Sequence, residues 1–373
     1  MNNKLKLTVI ALGFAMLIPV IGLAAVDEDR LREPNETQET VYTLSNDAAR
    51  NEVLAFQRYD NGHMEPAGHF PTGGTGTGSG LGNAGAMALS ENERYLFAVN
   101  AGSNDVSVFR IQRAGLELID RVAEEGVTPV SVTVDRNRVY VVNAGDDSIF
   151  GFRFDPHAGK LSPLSGSHQP LSGAGTAPAQ ISFNREGDAL VVTEKVTNKI
   201  TTFSLNEDGT PAATHVIDSA APTPFGFFFG KRDQFFVSEA QGGAPNGATA
   251  SSYQLREDGT VQLIDGAVAV DQTAACWLAT TPNGRIAFTA DTPANAISAF
   301  AIDSTGHLSL LQTKAAEENR PRDLAVSLDG QMLYTLSGGD PSIGVYRIGK
   351  AGALQKLESL DTLPAGVTGL IVR

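Results

Sequence analysis

The sequence is poor in several residues that stabilise or activate other proteins of its size. Cys276 is the only cysteine among 373 residues, so no intrachain disulfide can form and stability has to come from burial of apolar surface. Trp277 is likewise the only tryptophan. Positive charge is scarce as well, because 28 Lys and Arg stand against 42 Asp and Glu, a net charge of −14. So acidic a chain disfavours DNA, RNA and anionic membrane surfaces as partners.

Several motifs that define enzyme classes are missing. The sequence has no Gly-x-Ser-x-Gly elbow and no His-Glu-x-x-His pair, which weakens the case for a serine hydrolase or a zinc peptidase. Residues 80–85, GLGNAG, match a dinucleotide fingerprint by letters alone. No helix is expected after them, so we interpret them as a flexible connection. We therefore expect no cofactor and no bound metal. The six histidines all fall in the outermost strand of a repeat or in the turn before it: His63, His69, His157, His168, His215 and His307.

A repeated pair of strands is the main feature that the sequence does contain. The unit RYLFAVNAGSNDVSVFRI at residues 94–111 alternates around a tight polar turn, and it returns as NRVYVVNAGDDSIFGFRF at residues 137–154. An aromatic residue near the end of each copy recurs at spacings of 43 to 53 residues. Repeats of that length predict an all-β fold, a seven-bladed β-propeller of four-stranded blades. The seven aromatic residues are Phe56, Phe109, Phe152, Phe203, Tyr253, Phe300 and Tyr346.

The order of strands within a repeat predicts how the ring closes. The repeat that begins at Pro321 reads as four strands, which we name a to d from the innermost outward. The first repeat begins with a b strand at Val41, and the chain ends with an a strand at residues 367–372. We therefore expect the C-terminal strand to complete the N-terminal blade, which removes two exposed sheet edges.

The N-terminal residues have the pattern of an export signal. Lys4 and Lys6 precede an apolar run that ends in Gly22-Leu23-Ala24, so we interpret residues 1–24 as a secretory signal peptide. An uncleaved membrane anchor is the alternative, but the run is short for one. We interpret residues 25–40 as a flexible lead and residues 41–373 as the propeller. We expect the mature protein to be a periplasmic or extracellular monomer without stable membrane insertion.

Two sets of residues are expected around the mouth of the central channel, where the b–c turns and the d–a connections of a propeller lie. The first set ends the b strands, and its polar side chains either cap their own turns or serve a function. The second set opens the a strands. The first set is Ser45, Asn100, Asn143, Glu194, Glu239, Asp291 and Ser337. The second set includes Ala86, Ser131, Gln180, Gly226, Trp277 and Asp323, with Arg322 directly before Asp323.

Three members of the first set are acidic and occupy the same position in consecutive repeats. We expect Glu194, Glu239 and Asp291 to line one arc of the mouth, where repulsion between like charges would raise the pKa of at least one carboxyl group. Lys195 follows Glu194 directly and Arg322 belongs to the repeat beyond Asp291, so partial compensation is available. We interpret this arc as the functional site. Capping of separate turns is the alternative.

The repeats resemble the lactonase family of seven-bladed propellers, which includes bacterial 6-phosphogluconolactonases and fungal carboxymuconate-lactonising enzymes. The resemblance is carried by LFAVNAGSNDVSVFRI at 96–111, TAPAQISFNREGDALVVTEK at 176–195 and RPRDLAVSLDGQMLYTLSGG at 320–339. Family members typically carry Pro-Arg-His before an inner strand and a Glu at the end of the following b strand. Here Pro178-Ala179-Gln180 replaces the arginine and the histidine, and Glu194 keeps the glutamate. Pro321-Arg322-Asp323 has an arginine in another blade.

Two functions from different classes are consistent with these residues. Hydrolysis of a lactone or related ester would use Glu194 or Glu239 as general base, with Arg322 and Lys195 binding a carboxylate or stabilising the oxyanion. A binding or scaffolding propeller would use the same mouth without catalysis. A small molecule, a lactone or sugar derivative, is the expected partner, and a concave site would favour the enzyme. The residues expected to line the ligand-binding site are Lys195, Gln180, Trp277, Asp291, Asp323, Asn100 and Asn143.

Cys276 and Trp277 open the inner strand of the sixth repeat. We expect Cys276 to be a buried and inert thiol, because no basic residue next to it in sequence would lower its pKa. Trp277 either packs under the rim of the mouth or stacks on a sugar-like ring.

Overall fold

The fold is a closed ring of seven antiparallel sheets. The structure is a computed structural model, and it describes residues 37–373. Within these residues the chain forms 29 strands and three short 3₁₀ helices, so the protein is an all-β propeller as predicted. The innermost strand of each blade contacts the innermost strand of the next, and the last contacts the first. The seven blades therefore surround one central channel.

The strands are numbered in chain order, and each blade is named by its order along the chain. The strands of blades 1 to 3 are β1 (Thr37–Leu44), β2 (Glu52–Tyr59) and β3 (Met64–Pro71); β4 (Met87–Leu89), β5 (Tyr95–Asn100), β6 (Asp105–Gln112) and β7 (Gly115–Ala123); β8 (Pro129–Asp135), β9 (Arg138–Asn143), β10 (Ser148–Asp155), β11 (Lys160–Pro163) and β12 (Gln169–Pro170). Both β11 and β12 pair with β10, so the outer strand of blade 3 is split into two pieces.

Blades 4 to 7 each consist of four consecutive strands. They are β13 (Pro178–Phe183), β14 (Ala189–Glu194), β15 (Lys199–Leu205) and β16 (Pro211–Asp218); β17 (Pro224–Phe229), β18 (Gln234–Glu239), β19 (Thr249–Leu255) and β20 (Val261–Ala269); β21 (Ala275–Thr280), β22 (Ile286–Asp291), β23 (Ala296–Ile302) and β24 (Leu308–Glu317); β25 (Pro321–Val326), β26 (Met332–Ser337), β27 (Ser342–Ile348) and β28 (Leu354–Leu360). The final strand is β29 (Thr368–Val372), and the 3₁₀ helices are Gln241–Gly243, Thr292–Ala294 and Lys350–Gly352.

Strand b is the most completely buried strand of a blade, because the neighbouring blades cover both of its faces. All six positions of β14 and all six of β18 are buried, so these strands read as continuous runs rather than as alternating ones. The outermost strand β16 has no buried position. The core therefore consists of apolar layers between blades. The polar residue that ends each b strand is drawn into these layers.

Closure of the ring by the C-terminal strand is confirmed. β29 pairs with β1 antiparallel, with Val372 opposite Val41, and the Thr43 hydroxyl donates a hydrogen bond of 2.6 Å to the Gly369 carbonyl. The first strand begins at Thr37, four residues before the predicted start of the propeller at Val41. The predicted flexible lead is therefore too long at its C-terminal end, because Thr40 and Arg373 exchange two backbone hydrogen bonds of 2.8 and 2.9 Å.

Asparagine and aspartate residues in the b–c turns connect neighbouring blades. Asn198 has a left-handed backbone, with φ of 57°, and its Oδ1 accepts a hydrogen bond of 2.7 Å from the N–H of Thr223 in the connection to the next blade. Asn and Asp tolerate this conformation better than most residues. The same arrangement joins four other pairs of blades: Asn46 with Thr77, Asn104 with Thr128, Asp147 with Thr176, and Asn295 with Arg320.

The predicted signal peptide, residues 1–24, and residues 25–36 of the predicted lead lie outside the described residues. In the part of the chain that the structure describes, no helix has the length and apolar character needed to cross a membrane.

Candidate functional site at the channel mouth

The mouth is the face of the ring at which the a strands begin. In five blades the residue before strand a has a positive φ, and strand a begins with a bulge against strand b. A bulge of this kind re-aims the side chain that it carries. In β25 the bulged residue is Arg322, between Pro321 and Asp323. The sequence signal for this corner is the proline that opens the strand.

Glu194, the glutamate that ends strand b of blade 4, is enclosed by donors from its own surroundings. Its side chain is fully buried. Oε1 accepts hydrogen bonds from the Ser172 N–H at 3.1 Å and the Thr201 hydroxyl at 2.6 Å. Oε2 accepts from the hydroxyls of Ser172 and Thr197. These donors come from strand c, from the b–c turn and from the connection that leads into the blade. Both carboxylate oxygens are thus held within one blade.

Glu239 and Asp291 have the same enclosure in blades 5 and 6. Thr249 and Ser219 donate to the Glu239 carboxylate, and Ser298 and Thr289 donate to the Asp291 carboxylate. Burial raises the pKa of Glu239, and burial raises the pKa of Asp291 to about 7. The predicted direction of these shifts is therefore confirmed. The cause is loss of solvent around each group, not repulsion between neighbouring carboxylates.

Asn100 and Asn143 end their b strands in the same buried position, and neither is exposed. The amide of Asn100 donates to Asp105 at 2.6 Å and to Ser107 at 2.8 Å, and its carbonyl oxygen accepts from Thr72 and Asn51. The Asn143 amide donates to Ser148 at 3.2 Å. These side chains therefore cap the b–c turns and hold the ends of strands b and c together at the mouth, which is the structural alternative to a role in ligand binding.

Gln180 and Asp323, from the set that opens the a strands, bond to backbone instead of facing an open mouth. The Gln180 amide both donates to the Phe227 carbonyl and accepts from the Phe227 N–H, each at 2.9 Å, so it joins blades 4 and 5. Asp323 is buried and accepts from the Leu324 N–H at 2.8 Å. Burial raises the pKa of Asp323 to about 8. Both residues stabilise the inner ring.

Arg322 differs from these residues because its guanidinium group has no hydrogen-bond or ion-pair partner within residues 37–373. It is half-buried and lines a concave cavity of about 250 Å³. Its side chain crosses Gly338, where an added Cβ would lie 1.9 Å from the arginine Nε. Only glycine at position 338 therefore permits this placement. An unpaired, partly desolvated guanidinium group is well suited to bind a carboxylate or a developing oxyanion.

Trp277 lines the same cavity from blade 6, and the Lys195 ammonium group lies against Gly82 on its rim. The Trp277 ring packs at 4.8 Å from the ring of Phe225, and the Lys195 ammonium group lies 5.0 Å above Phe225. Burial lowers the pKa of Lys195 to about 8. The lysine donates to the carbonyls of Gly82 and Pro178, and no carboxylate of the described residues pairs with it. The mouth thus holds two basic side chains that have no carboxylate partner among residues 37–373, next to an aromatic surface.

The rim of this cavity is formed by residues 79–84, which we name the strap. It belongs to the long connection between β3 and β4 that sequence reasoning interpreted as flexible. Asn83 is buried; its Nδ2 donates to the Val130 carbonyl, its Oδ1 accepts from Thr368, and its backbone carbonyl accepts from Trp277 Nε1 at 2.8 Å. The Ala84 N–H donates to the Ala179 carbonyl at 3.0 Å. The strap is therefore tied to blades 1, 3, 4 and 6.

Comparison with known proteins identifies the family of this propeller. A sequence profile described as lactonase, 7-bladed β-propeller, matches residues 35–174 and 246–369. The chain belongs to the lactonase family of seven-bladed β-propellers. A 6-phosphogluconolactonase of Serratia proteamaculans is 24% identical over 331 residues, which cover 74% of this chain and 96% of that protein. A 6-phosphogluconolactonase of Yersinia pestis is 24% identical over 298 residues, which cover 75% of this chain and 84% of that protein.

Solved structures share the fold of this lactonase-family chain. The periplasmic gluconolactonase of Pseudomonas aeruginosa superposes with a TM-score of 0.72 at 14% identity, over 89% of this chain and 99% of that one. A protein from Lactobacillus plantarum gives a TM-score of 0.74 at 14% identity, over 91% and 100%. Identities this low support the fold alone.

The match to the family leaves out residues 175–245. That part holds Gln180, Glu194, Lys195 and Glu239, whereas Trp277 and Arg322 lie in the matched part. The structure places Arg322 and Trp277 in the lining of one cavity, bonds Lys195 to its rim at Gly82, and encloses the three carboxylates separately in their blades. Repeat alignment found all six side chains. It missed the strap, for which the available signal was the 15 residues between β3 and β4, longer than a usual connection and rich in glycine.

Proposed function

We propose that this protein is an exported lactonase that hydrolyses a non-phosphorylated lactone or related ester at the mouth of its channel. The guanidinium group of Arg322, which has no partner among the described residues and lies in a concave cavity beside Trp277, is the observation that carries the proposal. A closed concave pocket with a few polar groups is typical of a small-molecule site. Membership of the lactonase family and the 6-phosphogluconolactonase relatives support hydrolysis of a sugar-like lactone.

In the proposed reaction, Arg322 binds the lactone carbonyl and stabilises the oxyanion that forms when water attacks it. A base removes a proton from that water. The tetrahedral intermediate then collapses, the ring carbon–oxygen bond breaks, and the departing oxygen takes up the proton from the protonated base. The product is an open-chain hydroxy acid, whose carboxyl group loses its proton to solvent and leaves Arg322 as a carboxylate when solvent replaces it. Trp277 offers an apolar face on which a sugar-like ring can stack.

Lys195 is our preferred base in this scheme. Burial lowers its pKa to about 8, so the neutral amine is a minor form at pH 7 that increases toward pH 8, and this form can accept a proton from water and return it as an ammonium ion. Glu194 and Glu239, the bases predicted from the sequence, remain the alternative. Their enclosure by hydroxyl groups favours Lys195, because each carboxylate already accepts hydrogen bonds from its own blade.

Export supports the choice of a non-phosphorylated substrate. The basic and apolar pattern of residues 1–24 is typical of a signal peptide, and one structural neighbour is described as periplasmic. A phosphorylated sugar lactone is an intermediate of the cytosol that an exported protein would rarely meet. We therefore propose that the mature protein is a periplasmic or extracellular monomer that needs no cofactor.

The proposal is tested by following acid release from a panel of sugar lactones, each corrected for its spontaneous hydrolysis. We expect turnover by the mature protein and a loss of about 10² to 10³ in kcat for Arg322→Ala, the usual effect of removing an oxyanion donor. Arg285→Ala, which changes an exposed arginine in the a–b turn of blade 6 on the opposite face, is the matched control and should retain full activity. Lys195→Met should lower kcat more than Glu194→Gln does.

A non-catalytic binding propeller is the second candidate, and the enclosure of the three carboxylates favours it. Absence of turnover on every lactone, together with a change in Trp277 fluorescence on ligand addition, would support binding without catalysis. Equal activity of Arg322→Ala and the wild-type protein would refute the assignment of the mouth as the reaction site.

A further inference from the structure

We propose that the strap sets the size of the ligand, so that the mouth accepts a single sugar unit and excludes one that carries a second sugar unit. This inference deepens the proposed function and rests on it for the location of the site. The strap is a specificity-determining element in this view, and Asn83 is the residue that fixes its position.

The strap forms part of the wall of the cavity. Gly80, Leu81 and Gly82 line it together with Trp277 and Arg322. The cavity of about 250 Å³ lies below the roughly 300–1,000 Å³ that is common for sites of drug-sized ligands. A ligand that reaches Arg322 must therefore fit between the strap and the inner strands, which limits its size.

One buried side chain, that of Asn83, ties the strap to two other blades. Asn83 is 1% exposed, and its amide group bonds to Val130 in blade 3 and Thr368 in blade 1. Its backbone carbonyl accepts a hydrogen bond from the Trp277 indole N–H, so the strap and the Trp277 side chain are coupled in position. A buried amide that bonds through both its donor and its acceptor is costly to displace. The wall is accordingly stiff at Asn83.

The stretch from Gly80 to Gly82 is held less firmly than the two ends of the strap, because at the outer end the Ser79 carbonyl accepts hydrogen bonds from Asn46 and Thr77. Lys195 donates to the Gly82 carbonyl from a flexible side chain, and Gly80 faces the guanidinium group of Arg322 without a bond to it. An added Cβ at Gly80 would lie 3.6 Å from Arg322 Nη1, an ordinary contact distance, and no positive φ is found there. A methyl group at this position would therefore take up ligand space without straining the backbone.

The test measures the binding of two acids that differ only in size. Gluconate is a single open-chain sugar acid, and lactobionate is the same acid extended by a galactosyl ring. Both are titrated into the mature protein while the fluorescence of Trp277, the only tryptophan, is recorded. We expect the wild-type protein to bind gluconate and to bind lactobionate at least tenfold more weakly.

Three variants and one control separate size selection from general damage. Gly80→Ala should weaken the binding of gluconate on the order of tenfold, since one methyl group is enough to produce such an effect in a pocket that fits its ligand closely. Gly173→Ala, which adds the same methyl group in open space at an exposed loop, should change neither affinity. Asn83→Ala should release the strap and bring the two affinities closer together. Asn83→Asp, which keeps the acceptor for Thr368 but turns a carboxylate oxygen toward the Val130 carbonyl, should act in the same direction.

Two results with the wild-type protein would overturn the inference: equal affinities for gluconate and lactobionate, or no fluorescence response to either acid. Two results with the variants would do the same: an unchanged ratio of the gluconate and lactobionate affinities in Asn83→Ala, or an unchanged gluconate affinity in Gly80→Ala. Failure of the proposed function looks different. If the wild-type protein binds gluconate selectively but hydrolyses no lactone, the size selection stands and the catalytic proposal falls. If it hydrolyses lactones with a size selectivity that no strap variant alters, the catalytic proposal stands and the role of the strap in size selection falls.

Discussion

Gln180 and Arg322 lie near the start of equivalent inner strands, yet their side chains have opposite surroundings. The Gln180 amide is bound on both sides to the Phe227 backbone, whereas the Arg322 guanidinium group is unpaired in a cavity. The sequence could place both at the mouth because the repeat fixes their position along the chain. It could not tell them apart, because the difference depends on how closely the neighbouring blade approaches.

Cys276 gives a residue-level prediction about reactivity. The residue is half-buried rather than buried as predicted, because it occupies the bulge of β21, but its thiol is desolvated. Burial raises the pKa of Cys276 to about 12, and Lys195 lowers it by less. We expect the native protein to react with a thiol reagent at pH 7.5 far more slowly than the protein unfolded in guanidinium chloride. Rapid labelling of the native protein would contradict this result.

Asn198 tests the turn residues that join neighbouring blades. Replacement by Ala removes the hydrogen bond to Thr223. It also leaves a residue with a Cβ in the left-handed conformation, at a φ of 57°, without the side-chain hydrogen bond that offsets the strain, so the free energy of unfolding should fall by about 2 kcal/mol. Replacement by Gly removes the bond and keeps the conformation, so it should cost less. The melting temperature should therefore fall in the order wild type, Asn198→Gly, Asn198→Ala. A glycine variant less stable than the alanine variant would show that backbone strain is not part of the cost.

At the scale of strands, the repeat pattern predicted blade number and closure correctly. Continuous apolar b strands such as β14, followed by a polar turn, recur often enough to be counted without a structure. The start of the first blade was misplaced, because the polar residues Thr37–Thr40 have no apolar pattern. They form a strand since β2 pairs with them along one edge and Thr40 bonds with Arg373. Long-range pairing of this kind leaves no local signal.

Removal of residues 367–373 tests the closing strand. The deletion exposes the inner edge of β1 and removes the bond from Thr43 to Gly369, as well as the buried side chains of Val367 and Leu370. Replacing one buried leucine by alanine already costs about 2–5 kcal/mol, so the truncated ring should not fold cooperatively. The measurement is a thermal melt with circular dichroism. A melting temperature close to that of the full chain would contradict the closure.

At the scale of the whole molecule, buried carboxyl groups predict an unusual dependence of stability on pH. Burial raises the pKa of Glu124 and Asp323 to about 8 and that of Asp291 to about 7, and it raises the pKa of Glu239 as well. These groups ionise near pH 4 in an unfolded chain. Between about pH 4 and pH 8 the folded protein therefore binds more protons than the unfolded one, so its stability falls as the pH rises.

We expect the melting temperature to be higher at pH 5.5 than at pH 8. Asp323→Asn replaces a protonated carboxyl group by a neutral one of the same shape, so it should reduce the difference between the two pH values. Asp340→Asn, which changes an exposed carboxylate, should leave the difference unchanged. A melting temperature that rises from pH 5.5 to pH 8 would show that these groups are ionised in the folded protein.

The most direct measurement for the whole account is a crystal structure of the mature protein with bound gluconate, an analogue of the open-chain hydroxy acid that lactone hydrolysis would release. We expect its carboxylate at the guanidinium group of Arg322, its carbon chain against Trp277, and the strap in place above it. Gluconate bound instead in the larger groove between blades 6 and 7, beside Glu318 and Lys356, would contradict it. So would an empty mouth at a gluconate concentration that saturates the protein in solution.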